Sequence, residues 1–407
     1  MEDRYLIIAD DFTGANDTGV QLRRRGFATE VLFSGKPVGT EHSVVIDTES
    51  RTVHPDHAYE IVSHAVESVD FSGFRYVIKK VDSTMRGNIA VEVKAVDEKF
   101  QPELVVFAPA LPDLGRTTVD GVQCLNGVEI CRTELALDPK NPVVEDNLVR
   151  MLATSYDEKV FLKRLPDVRS RDLSFDEGRI YACDAETNDD LKKILVAAGQ
   201  TGKKVLYIGT AGLADNLMQL ERPSLPAFGV VASVSTVTNR QMKYCEKKGI
   251  RMVQIPMHRI LSGEEDTASY LEQTIESLKN GEDTILLANT SYDREELELS
   301  FEAGEKLGLG PVETGDKVRS IIGHLALQVL NQVPVSGVFL TGGDTALGML
   351  ANIEADGSEI LSEIRVGIPL VRVKGGSFEG LKLVTKAGAF GEDDAVAFAL
   401  RKLKETI

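Results

Sequence analysis

Two adjacent carboxylates, Asp10 and Asp11, close the apolar run of residues 5–9, and Thr13 and Gly14 follow at once. Such a run reads as a buried strand. In an open α/β sheet, ligands bind beyond the carboxyl ends of the strands, which is where both aspartates would stand. Two anions side by side at that edge repel each other. The pair therefore suits a cation or a substrate hydroxyl better than it suits stability.

A second stretch, residues 79–88, follows a strand at 75–79 and packs Lys79, Lys80, Asp82, Ser83, Thr84 and Arg86 into ten positions before Gly87 and Asn88. Ile89, Val93, Val96 and Phe100 then mark one face of a helix, and Asn88 is placed to cap it. Cations and hydroxyl donors at a helix N-terminus form a site for a carboxylate or a phosphate. A third polar group, Asp47 to Arg51, ends the strand at 43–46 and on its own reads as a surface turn. A Pro/Gly loop running from Pro109 to Arg116 ends a fourth strand in the same manner.

Later in the chain the chemistry changes character. The apolar strand at 338–341 runs into Gly342, Gly343, Asp344 and Thr345, and another strand, beginning at 383, ends in Lys386, Gly388 and Gly391. A strand at 229–234 opens onto Ser233, Val234 and Ser235 before a helix. Glycines there let backbone N–H groups converge on an anion, and the following helix favours negative charge. Two such loops suit the phosphates of a nucleotide. The P-loop pattern, the GxGxxG fingerprint, HExxH and GxSxG are all absent from the sequence.

The elements that must carry these groups alternate, strand and helix, which predicts two α/β domains with mostly parallel sheets. A chain of 407 residues exceeds the size at which single cores stop growing. The Pro-rich segment 221–227 is the expected linker, giving domains 1–222 and 228–407. A net charge of −17 argues against a nucleic-acid partner. The four cysteines are too far apart for a zinc site and read as free thiols. His54 and His57 have Pro55 between them and no third ligand, His57 and His64 are read as beginning and lining an amphipathic helix, and no residue is assigned as a metal ligand. The five apolar residues after Met-Glu-Asp-Arg are too few for a signal peptide. No stretch approaches the roughly 20 apolar residues of a membrane span. Together these features predict a cytoplasmic protein without a membrane partner, and homo-oligomerisation is left open.

Taken together, the motifs resemble the four-carbon acid sugar kinase family over almost the whole length. They are Ala9-Asp10-Asp11-Phe12-Thr13-Gly14-Ala15, Asp47 to Arg51, Lys80 to Asn88, Gly115-Arg116, Ser233-Val234-Ser235, Gly342 to Thr345 and Lys386 to Gly391. The resemblance implies a sugar-acid-binding N-terminal domain, a nucleotide-binding C-terminal domain and an active site in the cleft between them. The implied reaction is ATP-dependent phosphorylation of the C4 hydroxyl of D-threonate, D-erythronate or a 3-oxo-tetronate. Substrate positions would be Asp11, Arg51 and Lys80, Val81, Asp82 and Ser83. ATP positions would be Ser233, Gly342, Gly343, Asp344, Thr345 and Gly388, with Ser235 beside them and Mg²⁺ accompanying the nucleotide. The residues then suggest a division of labour: Arg51 and Arg86 on the substrate carboxylate, Lys80, Asp82 and Ser83 on its hydroxyls, and Asp11 or Asp10 as the base. Two rivals stand beside this reading. A haloacid-dehalogenase-like phosphatase would space its two aspartates by one residue, whereas these are adjacent. A non-catalytic sugar-acid sensor would leave the glycine loops of the second half idle.

Overall fold

A computed structural model of the protein describes residues 4–342, 349 and 353–406. The chain divides into two compact units, Met1–Pro223, which Thr406 joins, and Ser224–Glu405.

The first unit is built on eight parallel strands. In chain order these are β1 (Tyr5–Ala9), β2 (Thr29–Phe33), β3 (Ser43–Asp47), β4 (Tyr76–Lys80), β5 (Leu104–Ala108), β9 (Val160–Lys163), β10 (Ile180–Cys183) and β11 (Val205–Gly209). They lie in the spatial order β2-β3-β1-β4-β11-β5-β10-β9. Strands β1, β3, β4 and β5 are buried along their whole length, as continuous apolar runs covered on both faces must be. One face carries α1 (Phe12–Arg24), α5 (Leu165–Arg169), α6 (Asn188–Gln200) and α7 (Ala211–Glu221). The other carries α2 (Pro55–Val66), α3 (Ile89–Phe100) and α4 (Leu148–Ala153). Between β5 and α4 a small antiparallel sheet intervenes, formed by β6 (Arg116–Val119), β7 (Val122–Leu125) and β8 (Val128–Glu129). Such short strands carry no periodic signal in the sequence.

The second unit has seven strands: β12 (Ala227–Val231), β13 (Arg251–Ile255), β14 (Thr284–Ala288), β15 (Gly337–Thr341), β16 (Gly357–Arg365), β17 (Ile368–Lys374) and β18 (Lys382–Lys386). Their order is β13-β14-β12-β15-β18-β17-β16. The last two positions are antiparallel, through β18 to β17 and the hairpin β17–β16. Helices α9 (Met257–Ser262), α10 (Ala268–Lys279), α11 (Arg294–Lys306) and α12 (Pro311–Leu330) cover one face. The other is covered by α8 (Thr236–Lys247) and the last helix, Ala395–Leu403.

Three element boundaries are set by identifiable local chemistry. Strand β12 starts at Ala227, directly after Pro226, and ends at Val231, which leaves Ser233 outside the strand as a turn residue. Helix α1 begins at Phe12 because the Asp11 side chain caps it. Helix α12 begins at Pro311, whose fixed φ and missing N–H suit a first helical turn. All four cysteines are free. Among the described residues no helix is long and apolar enough to cross a membrane.

Candidate active site

In the first unit β1, β3 and β4 end side by side. Ala9 is in register with Asp47 on one neighbour and with Lys80 on the other. After β1 the chain builds β2 and β3 on one side, then crosses to β4 on the other. A crevice at such a reversal of strand order is where open α/β sheets bind ligands.

Arg51 resolves the repulsion between the paired aspartates. Its Nε and Nη2 donate to Asp10 Oδ2 and Oδ1 at 2.8 and 3.0 Å, and its Nη1 and Nη2 donate to Asp11 Oδ2 and Oδ1 at 2.8 and 2.6 Å. The two acids are not equivalent. Asp10 is 1% exposed, whereas the Asp11 side chain keeps 22% of its surface open. Asp11 also caps α1, its Oδ1 accepting from Gly14 N at 3.0 Å. Glu49, held at a φ of 48°, accepts the Phe12 N–H at 2.9 Å and completes the cap.

Lys80 comes to the same place from β4. Its Nζ donates to the Val81 carbonyl at 3.1 Å. Burial pushes this ammonium down, while the carboxylates Asp10 and Asp82 pull it back up. The Val81 side chain lies in the core, so this residue offers only backbone to a ligand. Asp82 grips Arg86, whose Nε and Nη2 donate to its two oxygens at 2.8 and 3.2 Å, and it also accepts from Thr84. Burial alone would raise the Asp82 carboxyl, but the bonds from Arg86 and Thr84 and the charge of Arg51 outweigh it and hold it at about 2. Ser83 is half-buried, with its carbonyl on Gln123 Nε2.

Behind the acids a buried chain fixes the turn that carries Arg51. Lys79 pairs with Glu92 of α3 at 2.8 Å, and both are withdrawn from solvent. Glu92 accepts from the Ser50 hydroxyl, which meets Thr48 Oγ1, which in turn bonds the Ala9 carbonyl. Asn88 sits at the cap position of α3 without capping it. Its amide instead donates to the Ser50 and Val53 carbonyls and ties down the same turn. Asn88 thus holds the cap position expected from sequence, but its amide is oriented by these two carbonyls and its oxygen caps no helix N–H.

The second unit repeats the plan, with strand order reversing at β12, between β14 and β15. Ser233 Oγ accepts from Ser235 N at 3.3 Å, and Ser235 Oγ caps α8 by accepting from Val237 N at 3.2 Å. Gly342, at a φ of 89°, donates its N–H to the Lys386 carbonyl. A Cβ on Gly388 would fall 2.7 Å from Ser233 Oγ, so only glycine lets these two loops meet. Lys386 Nζ donates to the carbonyls of Ala387 and Gly388, both at 3.1 Å. Burial alone pushes its ammonium down to about 8. Gly343, Asp344 and Thr345 lie outside the described residues.

Comparison with known proteins fits both halves. Residues 5–217 match the family model of a sugar-binding N-terminal domain, and residues 228–396 match that of a nucleotide-binding C-terminal domain. A D-threonate kinase of Salmonella typhimurium is 36% identical across 99% of both chains. The chain belongs to the four-carbon acid sugar kinase family. A D-erythronate kinase of Heliobacterium modesticaldum is 28% identical over 96% of this kinase and 94% of its own length. A Bordetella bronchiseptica protein, crystallised with bound citrate as a domain-swapped dimer, superposes with a TM-score of 0.61 at 28% identity, covering 98% of each chain.

For this kinase, sequence reasoning brought out Asp10, Asp11, Arg51 and Lys80, which the first unit gathers into one cluster. It passed over Asp47, Glu49, Glu92 and Lys386 as chemistry. Asp47 and Glu49 had a usable signal, being acids in the same short motif as Arg51. Glu92 had none, since a glutamate in the first turn of a helix is ordinary. Lys386 was visible as a lysine inside a strand-end loop, but nothing in sequence announces that it is buried.

Proposed function

We propose that this protein transfers the γ-phosphoryl group of ATP to the C4 hydroxyl of a four-carbon sugar acid, D-threonate or D-erythronate. The observation that carries the reading is the cluster of Asp11, Arg51 and Lys80 at the strand-order reversal of the first unit. It is supported by the relatives that phosphorylate these acids and by the glycine-bounded loops of the second unit.

Phosphoryl transfer asks mainly for alignment and charge neutralisation, with an acceptor for the hydroxyl proton. Asp11 is the acceptor in this reading. As the C4 oxygen bonds to the γ-phosphorus and the bond from phosphorus to the β-bridging oxygen breaks, the hydroxyl proton passes to Asp11 Oδ2. That oxygen accepts a bond from Arg51 Nη1, and the Asp11 side chain is the more open of the two acids. Buried Asp10 is a positioning residue that holds Arg51. Arg51 spends four hydrogen bonds on the two aspartates, out of the five N–H groups of a guanidinium. Its role is therefore to orient Asp11, and a free fork for the substrate carboxylate is better sought at Arg86. The Arg86 Nη1 lies 3.8 Å from Asp138 and donates no hydrogen bond among the described residues. Lys80 supplies the second positive charge.

Ser233, Gly342, Gly388 and Lys386 would receive the ATP phosphates. The meeting of Gly388 with Ser233, and a Lys386 ammonium that has no carboxylate partner among the described residues, fit an anion there. Mg²⁺, when bound, neutralises charge on those phosphates. The hydroxyl-rich donor set of this edge fits an ion held mainly by phosphate and water. The experiment is direct: purified protein, ATP and Mg²⁺ with a panel of D-threonate, D-erythronate, their enantiomers and 3-oxo-tetronates, reading ADP release and the phosphorylated product. Turnover with a D-tetronate is expected. ATP left intact by every acid would sink the kinase reading, and turnover confined to 3-oxo-tetronates would overturn the substrate.

A further inference from the structure

The first sheet is hollow at its opposite edge as well. A cavity of about 670 Å³ lies where β4 and β11 begin, among the C-terminal ends of α3, α6 and α7. Phe71, Phe74 and Phe100 give it aromatic walls, and Leu195, Leu217 and Leu220 give it aliphatic ones. Val196 and Leu220 remain 42% and 37% exposed although they belong to the lining. Apolar surface held open around a volume within the roughly 300–1,000 Å³ usual for a ligand is the arrangement of a binding site. Tyr76 begins β4 and Lys80 ends it. At about 3.3 Å per residue, the cavity therefore lies about 13 Å along the strand from the Asp11, Arg51 and Lys80 cluster.

Most polar groups of this wall are spent on one another. Glu221, the last residue of α7, accepts from the Tyr76 hydroxyl and pairs with Arg75 at 3.1 Å. Lys204 Nζ donates to the Phe100 carbonyl and so occupies the negative end of α3, where a foreign cation would otherwise go. Lys203 Nζ donates to the Phe175 carbonyl at 3.2 Å. Tyr207 is the exception. It is 3% exposed and lines the cavity, yet its hydroxyl makes no hydrogen bond among the described residues. Burial pushes this phenol up to about 12, with the charge of Glu221 adding and that of Arg75 opposing, so at neutral pH it stays protonated and can donate. A buried donor kept without an acceptor marks a position that a ligand can complete. Among the described residues of the lining, Arg75, Lys203 and Lys204 are cations and Glu221 is the one acid. This local excess of positive charge belongs to a chain of net charge −17.

We propose that this cavity is a second ligand site of the first unit, and that it takes a small carboxylate carried on an aromatic body. The rings and leucines hold the body, while the Tyr207 hydroxyl, Lys203 and Lys204 hold the carboxylate. Each ammonium has three N–H groups and commits one of them to a carbonyl. Hydrogen bonds from such donors to an ionised acceptor are the strong ones. A sugar acid, hydroxylated along its whole chain, gives the rings nothing to pack against, so this site discriminates against the substrate class of the other edge.

Isothermal titration of the full chain with naphthalene-2-carboxylate tests this. Saturable binding at one site is expected. The uncharged naphthalene-2-carboxamide, of nearly the same shape, should bind about tenfold or more weakly, and so should acetate, which has the charge and no ring. Tyr207→Phe removes only the hydroxyl and should weaken the carboxylate about tenfold. Gly199 of α6 also lines the cavity, and a Cβ there meets nothing within 4 Å. Leucine is the better helix residue, so Gly199→Leu fills the space without disturbing the fold and should cost about tenfold or more in affinity. Saturating D-threonate should not displace the probe. The proposal is overturned by a wild type that shows no saturable binding, by equal affinity for the carboxamide, or by unchanged affinity in both variants. Displacement by D-threonate would overturn it too, since the probe would then sit in the sugar-acid site.

Discussion

Asp11 and Lys80 face each other across the bare Cα of Gly14: the Asp11 Oδ1 and the Lys80 Nζ lie 2.6 and 2.9 Å from the point a Cβ would occupy there. Both groups are already committed. Asp11 Oδ1 holds the Gly14 N–H and Arg51 Nη2, and Lys80 is buried with its ammonium on the Val81 carbonyl. A methyl at this point must displace one of them.

Gly14→Ala therefore sets helix propensity against site geometry. Alanine in a helix is worth about 1 kcal/mol over glycine, so the variant should fold with a melting temperature close to that of the wild type. Displacing the acid or the ammonium by a fraction of an ångström should nevertheless lower kcat by about 100-fold. Steady-state kinetics and scanning calorimetry on the same preparation decide the matter. A variant that turns over normally would mean that the Asp11–Lys80 spacing is irrelevant to catalysis.

Asp11→Asn separates the chemistry of Asp11 from its capping. Asparagine caps a helix about as well as aspartate, so α1 should keep its start and the fold its stability. The proton acceptor is lost, and turnover should drop by about 10²–10⁴-fold. ATP affinity, measured by calorimetry, should be unchanged because the nucleotide loops belong to the second unit. Retained turnover would transfer the acceptor role away from Asp11.

How far the sequence foretold all this depends on what each residue's signal encodes. Continuous apolar runs such as Tyr5–Ala9 and Leu104–Ala108 declare buried parallel strands, and polar residues placed just after them declare a strand-end site. The hairpin β16–β17 gave no such signal, since most of β16 is exposed and its apolar residues do not form a run. Partnership was equally hidden. Arg51 has the composition of a free carboxylate fork, and only the register of β1 with β3 brings the turn after β3 against Asp10 and Asp11. Lys79 and Lys80 look alike in sequence. Strand alternation sends the first to Glu92 on the α3 face and the second to Gly14 on the α1 face.

Asp47 should imprint itself on the pH dependence of stability. It is 1% exposed, and its Oδ2 is buried without a hydrogen-bond partner among the described residues. Burial pushes its carboxyl up from 3.8 to about 6, opposed by the Glu49 N–H and reinforced by the charges of Glu49, Asp11 and Asp10. Folding thus retains a proton that the unfolded chain has already released. The stabilisation is complete below about pH 4, is lost as pH rises through about 6, and leaves a buried anion above that. Asp47→Asn should flatten the melting-temperature profile across this window and be the more stable protein at pH 8. Parallel profiles for the two proteins would show that Asp47 does not titrate there.

Lys386 should govern how nucleotide affinity responds to alkali. Its ammonium is buried, bonded to the Ala387 and Gly388 carbonyls, and brought down to about 8 by burial. Protonated, it holds the loop in which Gly388 meets Ser233 and gives the ATP phosphates a positive charge. As pH rises through about 8 that charge is lost, so the KM for ATP should climb while the KM for the sugar acid holds steady. General unfolding would not mimic this. The unfolded chain keeps the lysine proton up to about 10.5, so this group makes the fold more stable between pH 8 and 10.5 as the native state sheds its proton. Lys386→Met should raise the ATP KM at neutral pH and abolish its rise above pH 8. A wild-type ATP KM that stays flat through this range would remove Lys386 from nucleotide binding.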